Sequence, residues 1–420
     1  MNGRSAIVIG AGITGVSAAE WLRRDGWAVT LLDPLAPGDP GQTSFGNAGL
    51  IARTSVLPVA TPSLVRKAPA MILDPSSPLF LRWSYLPRLL PWLVPFLRNA
   101  TPGRIREIAE ALSAITFDSN DQHLALARRT GAERFIASGD FITLYRQRSD
   151  YEGDRLTLET RARFGLEAVP LSRAELVERD PHLGADYRFG AIFGDFRWIT
   201  SPGKYVAALA DHFRSGGGIF RQARAVRVDA GDCPGVTIEG GETLQASKVV
   251  LTAGAWSGRL TRSLGTGMRL ETERGYQLAM LAPSFTAPGP YMVSDAKLVV
   301  TPMEGFLRAA GVVELAGLDA PAIRQPLKVI ETAMKRLYPA LEFERTEHWM
   351  GRRPTTPDSL PALGEDVRAP NVLHAYGGQH IGLTIGPKLG RLVADLASGR
   401  APNIDLGPYR PGRFRRSGGG

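Results

Sequence analysis

The stretch from Ser5 to Asp33 constrains the fold more than any other. Ser5-Ala6-Ile7-Val8-Ile9 is a short apolar run of strand type, and Gly10-Ala11-Gly12-Ile13-Thr14-Gly15 follows at once. A helix is predicted from about Thr14 to Asp25, with Gly26 as its stop. Trp27-Ala28-Val29-Thr30-Leu31-Leu32 then predicts a second strand that ends on Asp33. Strand, glycine turn, helix, strand and terminal acid in this order make a dinucleotide-binding fingerprint. Gly10 permits the tight exit from the strand. Gly12 lets backbone approach a pyrophosphate, and Gly15 lets the helix lie close to the sheet. Gly15, Ala18, Ala19 and Leu22 give that helix a small apolar inner face. Free N–H groups and the dipole at its start, including those of Ile13 and Thr14, favour an anionic phosphate. Asp33 is placed to accept hydrogen bonds from an adenosine ribose, and its charge disfavours a 2′-phosphate and hence NADP. The glycines and the charges that follow interrupt what would otherwise read as an apolar signal sequence.

A chain of 420 residues is long enough for two domains, and 44% hydrophobic content is ordinary for an α/β protein. The single cysteine, Cys233, lies in a turn signal, Ala230 to Gly235. It excludes an internal disulfide framework and any cysteine-based metal or iron–sulfur site, and no metal is expected. These features predict a cytoplasmic protein. The net charge is +9, yet only seven of the 50 basic residues are lysine. The densest basic cluster, Arg410, Arg413, Arg415 and Arg416, falls in a tail, 407–420, that reads as solvated. Basic stretches lack the interleaved aromatics of a nucleic-acid surface, so no nucleic-acid partner is expected.

Past Asp33 a Pro- and Gly-rich loop leads to Thr43-Ser44-Phe45-Gly46-Asn47-Ala48-Gly49-Leu50-Ile51, small and hydrogen-bonding residues suited to a second approach to the same cofactor. Residues 58–104 are apolar and aromatic but studded with arginine. Prolines at 87, 91 and 95 argue against one straight helix, and the charges argue against a transmembrane span. Two readings stand: short helices packed as a lid over the active site, or contact with a membrane surface with Trp83 and Trp92 at headgroup level. One long helix is predicted from Arg106 to Arg129. Strands dominate 134–145, and a helix opens at Ser201-Pro202. Lys248-Val249-Val250-Leu251-Thr252-Ala253-Gly254-Ala255-Trp256-Ser257 is a β run ending on a glycine turn. Residues 268–348 alternate strand and turn, as in a separate sheet domain for substrate.

The end of the chain returns to the cofactor. Trp349 to Asp358 is predicted to be a rigid, arginine-bearing loop. Leu373 to Tyr376 is a strand, and Gly377-Gly378-Gln379-His380-Ile381-Gly382-Leu383-Thr384 is a second glycine turn feeding a helix. A flavin needs such an anion-stabilising point, because negative charge develops on its ring on reduction; a nicotinamide does not. The separation therefore favours FAD over NAD.

Taken together, the N-terminal GxGxxG, Ser44…Asn47-Ala48-Gly49, Ala253-Gly254-Ala255-Trp256-Ser257, Arg274-Gly275-Tyr276, Trp349…Arg353-Pro354-Thr355-Thr356-Pro357-Asp358 and Gly382-Leu383-Thr384 resemble one family. It is that of the amine- and amino-acid-oxidising FAD enzymes related to D-amino-acid oxidase and glycine oxidase, and bacterial D-amino-acid dehydrogenases are the nearest likeness. The resemblance implies an α/β fold: a discontinuous Rossmann-like FAD domain of glutathione-reductase type (1–57, 105–133, 200–267 and 349–406) and a mixed-sheet α+β substrate domain (134–199 and 268–348). It implies noncovalent FAD, with flavin contacts around Ala48, Gly49 and Gly378 to Leu383. Arg353 stands where the family's Gly-x-Arg-Pro arginine pairs the substrate carboxylate, a match that suits a guanidinium fork. Tyr276 matches a substrate-facing position whose hydroxyl reaches the same carboxylate. Arg352 is a second charge and a rival for that role. Gln379-His380 resembles the subset linked to D-proline and D-hydroxyproline, although relatives often have Gly-His where Gly377-Gly378 stands here.

The expected reaction is oxidation of a D-amino or imino acid by hydride transfer from Cα to flavin N5. Arg353 and Tyr276 would orient the substrate, and His380 would tune flavin or amine or be structural. An amine that binds neutral needs no general base, so no acid–base pair is nominated. The alternatives are a glycine- or sarcosine-type oxidase using oxygen and, from another class, a non-catalytic flavoprotein assembly factor. The 79–97 segment adds an expectation of a quinone or respiratory-chain acceptor at the inner face of the cell membrane.

Overall fold

A computed structural model describes residues 3–414; Arg415 and Arg416 of the basic cluster lie outside them. The N-terminal fingerprint folds as read. β1 (Ser5–Ile9) and β2 (Ala28–Asp33) pair in parallel, with Ala6 opposite Val29 and Ile9 opposite Leu32. α1 (Ile13–Arg24) crosses between them and buries Val16, Ala18, Ala19 and Leu22. These strands sit inside a six-stranded sheet. Its order is Ala362–Glu365, Val372–Tyr376, Lys248–Leu251, β1, β2, Ile219–Gln222, parallel but for the antiparallel first strand. Such a sheet needs crossovers, which is why sequence-distant segments meet in it. The C-terminal helix Gly382–Ala397 packs so tightly on α1 that a side chain at Gly390 would come within 2.6 Å of the Ala18 nitrogen.

A nine-stranded, mainly antiparallel sheet forms the second layer. Its path is Arg345–Thr355, Glu271–Leu281, Phe306–Leu315, Leu298–Met303, Tyr291–Val293, Ile136–Tyr145, Phe189–Ile199, Val169–Ser172, with Leu79–Leu81 added beside Phe306–Leu315. The helix Gln325–Leu337 closes one face over a core that includes Leu278, Met280, Leu307 and Leu337. A small three-stranded sheet, 225–245, stands apart.

Three expectations need correction. The segment read as a rigid loop around Arg353 is an edge strand: Arg345–Thr355 pairs residue for residue with Glu271–Leu281. The long helix expected over 106–129 is broken at Phe117-Asp118. The proline-studded segment contains, besides α2 (Pro62–Leu73), a single helix, α3 (Leu86–Arg98), that runs through Pro91 and Pro95. A proline inside a helix leaves the carbonyl four residues earlier without its N–H. Here the carbonyl freed by Pro95, that of Pro91, accepts from the Arg269 guanidinium instead. α4 (Pro102–Thr116) and α5 (Ser119–Ala127) are the two halves of the broken helix.

The described part of the tail is docked rather than solvated. Tyr409 is buried with its hydroxyl on the Ala111 carbonyl, and Arg413 forms two hydrogen bonds with Asp358, at 2.7 and 2.8 Å. Asp358 is 5% exposed in its side chain, so removing the arginine leaves a buried carboxylate unpaired. Arg413→Ala should therefore lower unfolding free energy by about 3 kcal/mol in urea denaturation. Arg410→Ala, at an exposed position, should change it by less than about 0.5 kcal/mol.

Candidate functional site

A cavity of 960 Å³ is lined from both large sheets and from α2 and α3. One end lies on the N-terminal fingerprint. Gly10 has φ +107°, and a side chain there would come within 2.6 Å of the Thr252 carbonyl oxygen. At Gly15 a Cβ would sit 1.7 Å from the Gly10 carbonyl oxygen, so no larger residue fits. Thr252 completes this knot by donating its hydroxyl to the Ile9 carbonyl at 2.8 Å. Gly12 is different: a Cβ there would meet Ser44 Oγ alone, at 3.2 Å, so the space above it opens to the cavity. Ile13 N–H donates to Ser44 Oγ at 3.0 Å, and α1 has no side-chain N-cap. Gly10, Gly12, Ile13 and Thr14 line the cavity, whereas Gly15 does not.

Asp33 also lines this end. The Ala11 N–H donates to its carboxylate at 2.7 Å and the Leu35 N–H at 2.8 Å. Burial raises its pKa, and these backbone hydrogen bonds oppose the rise. Each carboxylate oxygen retains capacity for a further donor.

The 43–50 loop is held rigidly. Arg308, buried in the nine-stranded sheet, donates to the carbonyls of Phe45 and Asn47, and burial lowers its pKa to about 10. Trp349 covers Gly46, where a Cβ would lie 2.1 Å from its ring. Asn47 Oδ1 accepts from Gly49 N–H at 2.9 Å. Ser44, Asn47, Ala48 and Leu50 reach the cavity. Gly49 instead turns the chain at φ +81° and accepts from the Ile199 N–H at 2.8 Å. Thr384 is buried beneath, bonding Ala52 N–H at 3.0 Å and the Leu50 carbonyl at 3.3 Å. Both are supports rather than lining.

The second glycine turn reaches the same cavity. Gly378, Gly382 and Leu383 line it, as do Ala253, Gly254 and Trp256 from the other crossover. Nothing lies within 4 Å of a Cβ built at Gly254 or Gly382. The C-terminal helix starts at Gly382 with no side-chain cap. Pro387 in that helix frees the Leu383 carbonyl, and His123 Nε2 donates to it at 3.0 Å while Nδ1 accepts from the Tyr205 hydroxyl at 3.0 Å. Burial keeps His123 neutral, with its pKa lowered to about 4. Two uncapped helix starts and three open glycine positions along one cavity fit a long dinucleotide such as FAD.

Beyond the glycine turns, strand alternation sorts the remaining candidates. Glu273 is the cross-strand partner of Arg353, and Arg274 of Arg352. Arg353 therefore faces the cavity with Glu273 and Gly275. Its Nη2 donates to the Gly311 carbonyl at 3.0 Å. Burial lowers its pKa and Glu273 opposes this; a guanidinium stays cationic near neutral pH. Arg352 points the other way, bonds the Leu318 carbonyl at 2.8 Å and stacks over Trp256 at 5.6 Å. Tyr276 borders the cavity but shares the reverse face with Arg274. Its hydroxyl, expected to be free for a substrate, donates to Glu314 at 2.6 Å and accepts from Ile323 N–H at 3.1 Å. Burial and Glu314 push its pKa up to about 12. His380 lines the cavity and presents an exposed ring to it. Loss of water, then the charge of Arg353, lowers its pKa to about 4, so it is neutral at pH 7. The sequence did not single out Thr252, Arg308 or Glu273. Thr252 and Glu273 adjoin motifs without belonging to them, Arg308 lies in a strand away from any motif, and the pairing register brings Glu273 to Arg353.

Residues 5–396 match the profile of the family described as FAD dependent oxidoreductase. The chain is 36% identical to a D-amino-acid oxidase of Bradyrhizobium diazoefficiens over 98% of this chain and 99% of that one. It is 30% identical to a D-amino acid dehydrogenase of Paramagnetospirillum magneticum over 97% and 98%. Among solved structures, glycine oxidase from Geobacillus kaustophilus shares the fold with a TM-score of 0.74 at 20% identity, covering 98% and 99% of the two chains. The chain belongs to the family of FAD-dependent oxidoreductases that oxidise with a bound flavin, and FAD is its cofactor.

Proposed function

We propose that this protein oxidises a D-amino acid or cyclic imino acid to the imine, and that Arg353 is its carboxylate anchor. The observation that carries this is the guanidinium itself. It is a cation enclosed by protein, aimed into the cavity, with one backbone carbonyl as its hydrogen-bond partner among the described residues. A planar fork with unused N–H groups matches a carboxylate in two parallel bonds and fixes the Cα beyond it. The whole-length relatives named D-amino-acid oxidase and D-amino acid dehydrogenase support the same substrate class.

FAD supplies the two-electron acceptor to which hydride passes at N5. The chain's own residues do the rest. Backbone at Gly10, Gly12, Ile13 and Thr14 would hold the diphosphate, Asp33 the ribose, and Ala48, Gly378, Gly382 and Leu383 the flavin ring. The N-terminus of the 382–397 helix stabilises negative charge on the ring. His380, being neutral, offers a hydrogen bond beside Arg353 without adding charge. Past Arg353 the cavity runs on between α2 and α3, lined by Val65, Met71, Leu89 and Phe96. That apolar space favours a substrate with a side chain or ring over glycine.

A finer reading concerns the outer face of α2 and α3. Leu90 and Val94 are exposed one turn apart on α3, and Trp83, just before that helix, is 59% exposed. Arg66, Lys67, Arg82, Arg88 and Arg98 surround them on exposed positions. Trp92, expected at headgroup level, is instead buried with its indole N–H on the Thr355 carbonyl at 2.9 Å. No helix among the described residues is long and apolar enough to cross a membrane. The apolar stripe with its basic rim supports peripheral contact with an anionic bilayer, from which a lipophilic quinone would reach the flavin.

Anaerobic mixing of the holoprotein with D- and L-amino acids, D-proline, cis-4-hydroxy-D-proline, glycine and sarcosine should bleach the flavin with a D-compound and leave it yellow with the L-series. No bleaching by any of them overturns the reading. Arg353→Met should retain flavin but lower kcat/KM by about 1,000-fold, whereas Arg352→Met should stay within about tenfold. The double change Leu90→Glu and Val94→Glu should abolish sedimentation with phosphatidylglycerol vesicles and leave turnover with a soluble dye unchanged. Unaltered sedimentation would remove the membrane reading.

A further inference from the structure

The reaction as drawn leaves one buried acid in the cavity without a role. Asp33 and Glu273 are the two carboxylates that line it among the described residues. Asp33 is committed at the ribose end by its bonds to Ala11 and Leu35. Glu273 lies at the other end, opposite Arg353 in the strand pair. It is 5% exposed, its one hydrogen-bonding neighbour among the described residues is the Thr355 hydroxyl, and it closes no salt bridge with Arg353. The Thr355 hydroxyl is buried and has no other partner, so at most one of the carboxylate's lone pairs is used. Arg353 lies across Gly275, where a Cβ would come within 2.3 Å of its guanidinium carbon. The cation is thus drawn alongside Glu273 but not onto it. A buried carboxylate with unused lone pairs is costly unless something fills them.

The proposal rests on the function above. A zwitterionic amino acid presents a carboxylate and an ammonium on one carbon, and the cavity presents a guanidinium and a carboxylate on neighbouring strands. We propose that Glu273 takes the amino group of the substrate: it holds the ammonium while Arg353 holds the carboxylate, and it accepts one ammonium proton before oxidation. The step balances. The N–H bond breaks and its proton goes to Glu273, leaving a neutral amine. The nitrogen lone pair then forms the C=N bond as the Cα–H bond breaks, with hydrogen and electron pair leaving to the oxidised flavin. The products are an iminium, reduced flavin and a protonated Glu273 that returns its proton to water.

The surroundings suit this exchange. Loss of water raises the pKa of Glu273; Arg353 and then the Thr355 hydroxyl oppose the rise, and Glu271 on the same strand adds to it. Glu271 is itself buried and held by the Tyr85 hydroxyl at 3.0 Å. His380, near Arg353, is neutral, and Arg274 faces away toward Glu314. A carboxylate beside the amine site, made more basic by burial, is suited to receive a proton from a bound ammonium.

The test is the pH dependence of flavin reduction in anaerobic stopped flow, with the holoprotein saturated by the best substrate of the panel. The wild-type rate should stay level from about pH 9 to about pH 7, because the bound amine loses its proton to the protein. Glu273→Gln, which keeps shape and flavin, should fall about tenfold per pH unit below the pKa of the amine and recover toward the wild-type rate near pH 10. A structural role would lower the rate equally at every pH. Parallel profiles for the two proteins would overturn the proposal while leaving D-amino-acid oxidation intact. If the variant loses flavin, the wild-type profile decides alone: a rate that falls with the amine's own ionisation overturns it. Failure of any substrate to bleach the wild type would remove the underlying function, a result distinct from either.

Discussion

The register between the strands 271–281 and 345–355 is the constraint on which the site depends. Eleven consecutive pairs, from Glu271 opposite Thr355 to Leu281 opposite Arg345, leave no freedom in which side chains face the cavity. A slip of one residue would turn Arg353 into the reverse face and bring Arg352 forward. The pairing is secured from both sides. Phe306–Leu315 pairs along the other edge of 271–281, and the Trp92 indole and Asn99 amide of α3 and its cap bond the Thr355 and Pro357 carbonyls where the outer strand ends. Gly275 and Gly351 on the cavity side leave room for the Arg353 guanidinium and the Trp349 ring.

The cofactor end obeys a different constraint, that of close backbone approach. Gly10, Gly15 and Thr252 form a contact too tight for any added atom, so two segments distant in sequence are locked at one point. From it, α1 and the crossover after Leu251 diverge along the cavity wall. Buried side chains from the other sheet and from α5 finish the job. Arg308 reaches across to the 43–50 loop, and His123 reaches the carbonyl that Pro387 sets free. In both places a polar group that would be unsatisfied is paired by a residue from another layer, which ties the flavin end to the substrate end.

Much of this was legible in the sequence because it depends on local rules. The fingerprint from Ser5 to Asp33, the glycine turn at Gly377–Gly382 and the small-residue loop at Ser44–Gly49 carry their geometry in their own residue types. What was not legible depends on partners. Tyr276 stands in the right segment, but alternation and Glu314 take its hydroxyl away from the cavity. Glu273 sits in no motif and becomes visible only as the cross-strand neighbour of Arg353. The run around Arg353 looked like a loop because Pro354 and Pro357 mask an edge strand, the place where a sheet tolerates proline. α3 defied its prolines because the stranded carbonyl of Pro91 finds Arg269, 178 residues further along the chain.

One measurement tests the central claim most directly: a crystal structure of the holoprotein with an α,α-disubstituted amino acid, which has no Cα–H to lose and so stays bound unreacted. The account predicts its carboxylate in two hydrogen bonds with Arg353, its nitrogen against Glu273, and its Cα facing the flavin. A carboxylate bound by Arg352, or a ligand seated away from the strand pair altogether, would contradict it.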